Sequence, residues 1–312
     1  MKGSRWPSVA ESAVAVGAVA LWLVVTAACV GFRAEHPVLA VVILAMFFAA
    51  PQSRRLVVAL VPFLLFGISY DWMNIVPNYT VNPVDTEGIY NAEKSLFGIT
   101  AAGMVLTPNE FFALHTTKVM DFLAGIFYLC WVPLPIAFGL YLYFKRHTEA
   151  YLHFAVVFLI VNLIGFAGYY IHPAAPPWFI AKYGFEPILG TGGDTAGLGA
   201  FDAMTGTGIF QGLYARNANV FAAVPSLHSA YTLVALIYAV RYHAPKAWTA
   251  ILAVVTLGIW LTAVYTSHHY IIDVLAGIAC AFAGFLLFEF VIMKIPGVRR
   301  FMERYTAYVT VR

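Results

Sequence analysis

Charge is what this sequence has least of: Asp, Glu, Lys and Arg make up 11% of its 312 residues, whereas 62% are hydrophobic. Soluble domains carry about 25% charged residues, so a water-soluble globule is excluded. The net charge of +3 comes from scattered basic residues, and without a basic cluster nucleic acid is not expected as a partner. Cysteine is scarce as well. Cys29, Cys130 and Cys280 each lie inside an apolar run, which fits packing rather than a disulfide framework or a tetrahedral metal site. Internal repeats and low-complexity tracts are absent. The segment Gly190-Thr191-Gly192-Gly193-Asp194 follows no strand and has no Lys-Ser/Thr ending, so it reads as a flexible stretch over a site and not as a phosphate-binding P-loop.

What the chain does have is long apolar runs. A helix needs about 20 apolar residues to cross the hydrocarbon core, and runs at 13–32, 122–144, 151–171, 247–265 and 270–293 meet that length. The run at 226–242 is slightly short, while 38–50 and 56–68 hold 13 residues each and fit either short spans or a re-entrant pair. The first run follows Lys2 and Arg5 as a signal peptide would, but it is too long and has no clear cleavage site, so it is expected to be a retained helix. The expectation is an all-α, polytopic transmembrane bundle of about eight helices, or about six if the 38–68 pair is re-entrant.

With a cytoplasmic N-terminus, Arg33, Lys94, Lys118, Lys182 and Arg216 face outward and the remaining 13 of the 18 Lys and Arg face inward, in keeping with the positive-inside bias. Both termini are then cytoplasmic. Two outward loops, 74–118 and 172–225, are too long to be simple connections. The first holds the sequon Asn78-Tyr79-Thr80, meaningful only in a eukaryotic secretory setting. It also holds Tyr90, Leu96, Phe97 and Ile99, which suit either a short interfacial helix or a plain loop cap.

The same topology brings His172, His228, His268 and His269 to one side, each at the outward edge of an apolar run. Burying polar groups there is costly and asks for a chemical reason. His269 and Asp273 are four apart at a helix start and share a face. A carboxylate–imidazole bond would fix the tautomer and free the other ring nitrogen as nucleophile or base, although Asp273 also suits a simple helix cap. His228 follows Pro225-Ser226, a helix start whose free amides favour an anion.

Pro225-Ser226-Leu227-His228 and His269-Tyr270-Ile271-Ile272-Asp273 resemble the second and third signature motifs of the type 2 phosphatidic acid phosphatase superfamily. The resemblance spans roughly 151–293. It implies His269 as the nucleophile that forms a phosphohistidine, Asp273 as its orienter and His228 as general acid and then base. Where that family usually supplies a Lys and Arg-Pro in its first motif and Ser-Arg in its third, this chain reads His172-Pro173 and Thr262-Ala263, so the usual cationic clamp is missing. His172-Pro173-Ala174-Ala175-Pro176-Pro177-Trp178-Phe179 and the paired His268-His269 resemble the inositol phosphorylceramide synthase branch. Tyr70-Asp71 and the 122–144 helix with Pro133 and Pro135 resemble it less specifically.

The implied enzyme is an integral-membrane lipid phosphotransferase with a phospholipid donor, a lipid acceptor and no cofactor. Its parts are N-terminal helices at 1–50, a phosphatase-like core of six helices at 51–296 and a short basic cytoplasmic tail at 297–312. His172, Lys182, Arg216, Ser226 and His268 are the candidate substrate contacts. Asp71 and Asp121 are expected to pair within the bundle. Three other readings stay open: a lipid-phosphate phosphatase using water, a metal enzyme built on His172, His228, His269 and Asp273, and a transporter. Oligomeric state has no signature in the sequence.

Overall fold

A computed structural model describes residues 6–215 and 219–310. In chain order the helices are α1 (Val9–Cys29), α2 (Glu35–Ala49), α3 (Pro51–Ala59), α4 (Val61–Trp72), α5 (Glu87–Phe97), α6 (Pro108–Leu114), α7 (Lys118–Leu129), α8 (Pro133–Phe144) and α9 (Thr148–Ile171). They continue as α10 (Pro177–Tyr183), α11 (Gly199–Thr205), α12 (Ile209–Tyr214), α13 (Leu227–Arg241), α14 (Lys246–Tyr265), α15 (Ile271–Phe290) and α16 (Pro296–Val309). One small hairpin, β1 (Ile99–Ala101) with β2 (Met104–Leu106), interrupts them. The protein is an all-α polytopic bundle and an integral membrane protein.

Local chemistry explains where the helices begin and break. At α1, Ser8 Oγ accepts from Glu11 N at 3.2 Å and the Glu11 carboxylate accepts from Ser8 N at 2.8 Å, a reciprocal cap that satisfies two otherwise unpaired amides. Proline opens α3, α6, α8, α10 and α16, where its missing N–H costs nothing. Among the described residues four helices are individually long and apolar enough to span, and two bent pairs pass that test together. The run at 122–144, expected as one helix, is one of those pairs: Pro133 and Pro135 have no amide hydrogen to give, and α7 meets α8 at 42°. The 56–68 run lies within the other, α3 with α4, broken before Pro62 by 49°. The tail at 297–312 is mostly helix, since α16 buries Met302 and Val309.

The centre of the bundle is α9, which packs on α4, α8, α13 and α15 and carries Phe154, Phe158 and Val161 fully inside. Without a strong hydrophobic drive between helices in lipid, close approach of small residues supplies the packing. A Cβ at Gly165 of α9 would sit 2.5 Å from Leu227 Cδ2, and one at Gly277 of α15 would sit 2.0 Å from the Ser226 carbonyl oxygen. Glycine at these two places is what lets α13 nest between α9 and α15, so the helices carrying the histidine motifs meet.

The two long loops form a layer over the end of the bundle that bears His228, His268 and His269. Asp85 N donates to Pro173 O at 2.8 Å, Ala175 N to Asp85 O at 2.9 Å and Ala174 N to Phe221 O at 3.0 Å. Asn78 is fully buried, and its amide donates to the carbonyls of Tyr169 and Phe221 at 2.9 and 2.8 Å. The sequon asparagine is therefore a clamp between loops, inaccessible to a glycosyl transferase. The segment around Tyr90 does form a helix, α5, which carries a buried acid at Glu93.

Candidate active site

Everything at the site depends on how the turn between α14 and α15 is held. Helix α14 ends at Tyr265, and Ser267 takes a left-handed conformation with φ of 60°, which reverses the chain before α15. The amides of His268 and His269 both donate back to Ala263 O, at 3.1 and 2.9 Å. The layer above buttresses the turn, with Trp178 N donating to Ser267 O at 2.9 Å and Gly197 N to Thr266 O at 3.0 Å.

Asp273 then does two things. One carboxylate oxygen accepts from Tyr270 N at 2.9 Å and lies 3.3 Å from His269 Nδ1, while the other is buried without a partner. The cap and the imidazole orienter are thus the same carboxylate. On the far side of the ring, His269 Nε2 lies 3.0 Å from His228 Nδ1. A carboxylate can only accept, so Nδ1 of His269 carries the proton, Nε2 presents its lone pair and His228 Nδ1–H donates to it. Burial, partly offset by the Ala223 carbonyl, pushes His269 down to about 4, so the ring is neutral near neutral pH. Burial and the neighbouring imidazoles push His268 down to about 3.

These rings border a cavity of ≈ 330 Å³ lined by Tyr70, Tyr128, Trp131, Tyr169, Tyr214 and Tyr231 together with His228, His268 and His269. His268 stacks on Tyr214 with centroids 4.5 Å apart, and Nε2 lies 3.0 Å from Thr195 O. No Lys or Arg among the described residues lines the cavity. The Tyr128 hydroxyl is buried beside that of Tyr214.

The remaining candidate residues stand further out. His172 is half-exposed and lies 3.2 Å from Asp85, outside the cavity lining. Lys182 reaches Asp194 at 2.9 Å. Ser226 is fully buried, its hydroxyl accepts from Ser229 at 3.1 Å and its amide donates to Asp273 O at 2.9 Å, so it locks α13 to α15. Arg216 lies outside the described residues. Asp71 pairs with Arg33 and His36, and Asp121 accepts from Tyr265 Oη at 2.6 Å. Among the described residues no three His, Cys, Asp or Glu side chains group as metal ligands.

Sequence reasoning missed two residues that hold the site. Glu93 is fully buried and its carboxylate accepts from Ile271 N at 2.9 Å and Ile272 N at 3.2 Å, capping the helix that follows His269. Burial raises its carboxyl above the usual range, against the pull of those two amides. Asn109 donates to Val264 O at 2.8 Å and His269 O at 2.9 Å, tying the turn down from the first loop. The Thr107–Glu110 capping box around Asn109 is visible as a spacing; nothing local marks Glu93.

Fold and site together define a polytopic membrane bundle that presents a His–His–Asp chain at one end. The family model of the PAP2 superfamily matches residues 100–287, and the chain belongs to that superfamily, in its inositol phosphorylceramide synthase-like branch. It is 58% identical over 303 residues to the phosphoinositol dihydroceramide synthase of Bacteroides thetaiotaomicron, covering 97% of this chain and 99% of that protein. The inositol phosphorylceramide synthase catalytic subunits of Schizosaccharomyces pombe and Saccharomyces cerevisiae are each 24% identical, over 78% of this chain but only 56% and 59% of those proteins. No solved structure matches the chain significantly.

Proposed function

We propose that this protein transfers a phosphoinositol headgroup from a glycerophospholipid to the hydroxyl of a ceramide-type lipid. The observation that carries this reading is the 58% identity along 97% of the chain to a protein named phosphoinositol dihydroceramide synthase. The hydrogen-bonded order Asp273, His269, His228 supports the chemistry.

In the first half-reaction the donor's phosphodiester replaces the 3.0 Å His228–His269 hydrogen bond and separates the two imidazoles. His269 Nε2 attacks phosphorus, the bond to the glycerol oxygen breaks, and His228 as imidazolium gives that oxygen its Nδ1 proton, releasing diacylglycerol. The phosphodiester anion favours the imidazolium before transfer. Asp273 balances the charge that develops on His269. In the second half the ceramide hydroxyl returns a proton to His228, its oxygen attacks phosphorus, and the P–N bond breaks to restore neutral His269. The route calls for no cofactor.

Charge developing on the equatorial oxygens needs fixed donors. We assign the N-terminal turn of α13 beyond Ser226 and, two residues beyond the cavity-lining Tyr214, Arg216; His268 spends its ring N–H on Thr195 O and Ser226 its amide on Asp273 O, so these two position the site rather than donate to the phosphate. His172 and Lys182, each already facing a carboxylate, are assigned to the rim, where inositol hydroxyls pass. A diester carries one charge and a monoester two. Among the described residues the cavity is walled by aromatic rings and not by Lys or Arg, which favours transfer between lipids over phosphate-monoester hydrolysis. The distribution of 13 inward against 5 outward basic residues, summing to the 18 in the chain, supports an extracytoplasmic site with both termini in the cytoplasm. Residues 51–296 form the catalytic core in this reading, with 1–50 and 297–312 as additions.

The test is to incubate the purified protein in nanodiscs with labelled phosphatidylinositol, with and without dihydroceramide, and to identify products by mass spectrometry. Phosphoinositol dihydroceramide and diacylglycerol in equal amounts are expected. Release of inositol phosphate whether or not ceramide is present would replace this reading with hydrolysis.

A further inference from the structure

The cavity beside His269 is not the largest void in the protein. A groove of ≈ 1230 Å³ runs between α1, α2 and α4. Apart from its packing on α2, helix α1 is braced at its two ends: Trp72 Nε1 donates to Thr26 Oγ1 at 3.0 Å, and Tyr308 Oη donates to Glu11 at 2.9 Å. Between these braces the facing walls stand apart and are apolar, with Trp22, Ile43, Leu64 and Ile68 among them. At 21 residues α1 is about 30 Å long, the depth of the hydrocarbon core. A gap with such walls at that depth stays dry, and what surrounds it is lipid tail.

Its outward end decides which lipid. Arg33 lies 3.3 Å from Glu35 and pairs with Asp71, and His36 Nε2 lies 3.4 Å from Asp71. One guanidinium between two carboxylates has no positive charge to spare for a phosphate, but carboxylate and imidazole suit hydroxyl and amide donors on an uncharged head. Next to Asp71, Tyr70 lines both this groove and the cavity that holds His228 and His269, so a head at Asp71 is separated from the reacting atoms by that side chain.

We infer that this groove binds the acceptor: a two-chain lipid with a small, uncharged head bearing hydroxyl and amide groups, its tails between α1 and α4 and its head at Asp71 and His36. That it serves as acceptor rests on the transferase reading; that such a lipid binds there does not.

Gly67 supplies the test. It lines the groove, and a Cβ there meets nothing within 4 Å, so Gly67→Phe starts its ring into the void from an uncrowded backbone position. A ceramide bearing a photoactivatable tail is expected to cross-link to α1 and α4 in the wild type, and the yield in Gly67→Phe is expected to fall about tenfold, with the ceramide KM rising by a similar factor and the phosphatidylinositol KM holding. Ile43→Trp plugs the groove from the α2 wall and decides the matter should Gly67→Phe not fold. Cross-links confined to other helices, undiminished yield in both plugged variants, or a rise in donor KM instead would each overturn the inference. Should the wild type transfer nothing, the enzymatic reading fails while the cross-links still judge the groove.

Discussion

Removing the Glu93 carboxylate tests whether the first loop positions the nucleophile. Its two oxygens accept from the amides of Ile271 and Ile272, and Glu93→Ala leaves both amides without a partner in a buried place. An unpaired buried donor costs roughly 1–3 kcal/mol, so two cost about 2–4 kcal/mol after the helix start shifts or admits water. Either relaxation moves Tyr270 and, through it, His269. A displacement of about 1 Å at a reacting group costs on the order of 100-fold in rate. The expectation is a loss of about that size in kcat, with KM for both lipids little changed because Glu93 does not line the cavity. Glu93→Gln keeps one acceptor oxygen and should fall between alanine and wild type. Headgroup-transfer kinetics in nanodiscs, run beside thermal unfolding, measure both consequences. An alanine variant with wild-type kcat and wild-type melting would refute the reasoning, and a glutamine variant as impaired as alanine would show that charge at the start of α15, not the acceptor, is what matters.

Two further outcomes follow from the site. His269→Ala should abolish turnover with folding intact, and His228→Ala should remove most of it; wild-type turnover in purified His269→Ala would sink the mechanism. The native His268 and His269 titrate near 3 and 4 instead of the ordinary 6.5, so the folded protein binds fewer protons than the unfolded chain below that value. Their contribution to stability should therefore fall as pH drops from about 6.5 toward about 4, against the opposite contribution of Glu93, whose carboxyl burial raises; His268→Gln should lose less stability over this interval than the wild type, and equal losses in thermal melts would contradict it.

Much of the bundle was legible because its signals are local. Apolar run length marks the spans, and proline marks where α3 and α7 give way to α4 and α8. The proximity of the three residues proposed to react was legible too, since His269 and Asp273 share a face by helix geometry alone and His228 opens a helix at the same level of the bundle. The substrate contacts were less so. Lys182 and His172 are polar residues in the right loop, but each faces a carboxylate whose proximity depends on how the loop folds back. The sequon at Asn78 is a surface motif in spelling only, since its asparagine is buried.

By itself the sequence determined that the protein lives in a membrane and that His228, His268 and His269 share one end of the bundle, because composition, apolar run length and four-residue spacing survive without knowledge of the packing. Tertiary structure decided what holds those residues still and what surrounds them. Glu93 reaches its amides across 178 residues and Asn109 its carbonyl across 160, and the cavity is assembled from rings on several helices. Such contacts have no period and no fixed spacing; they arise only when loops and helices distant in sequence bury one another's polar groups.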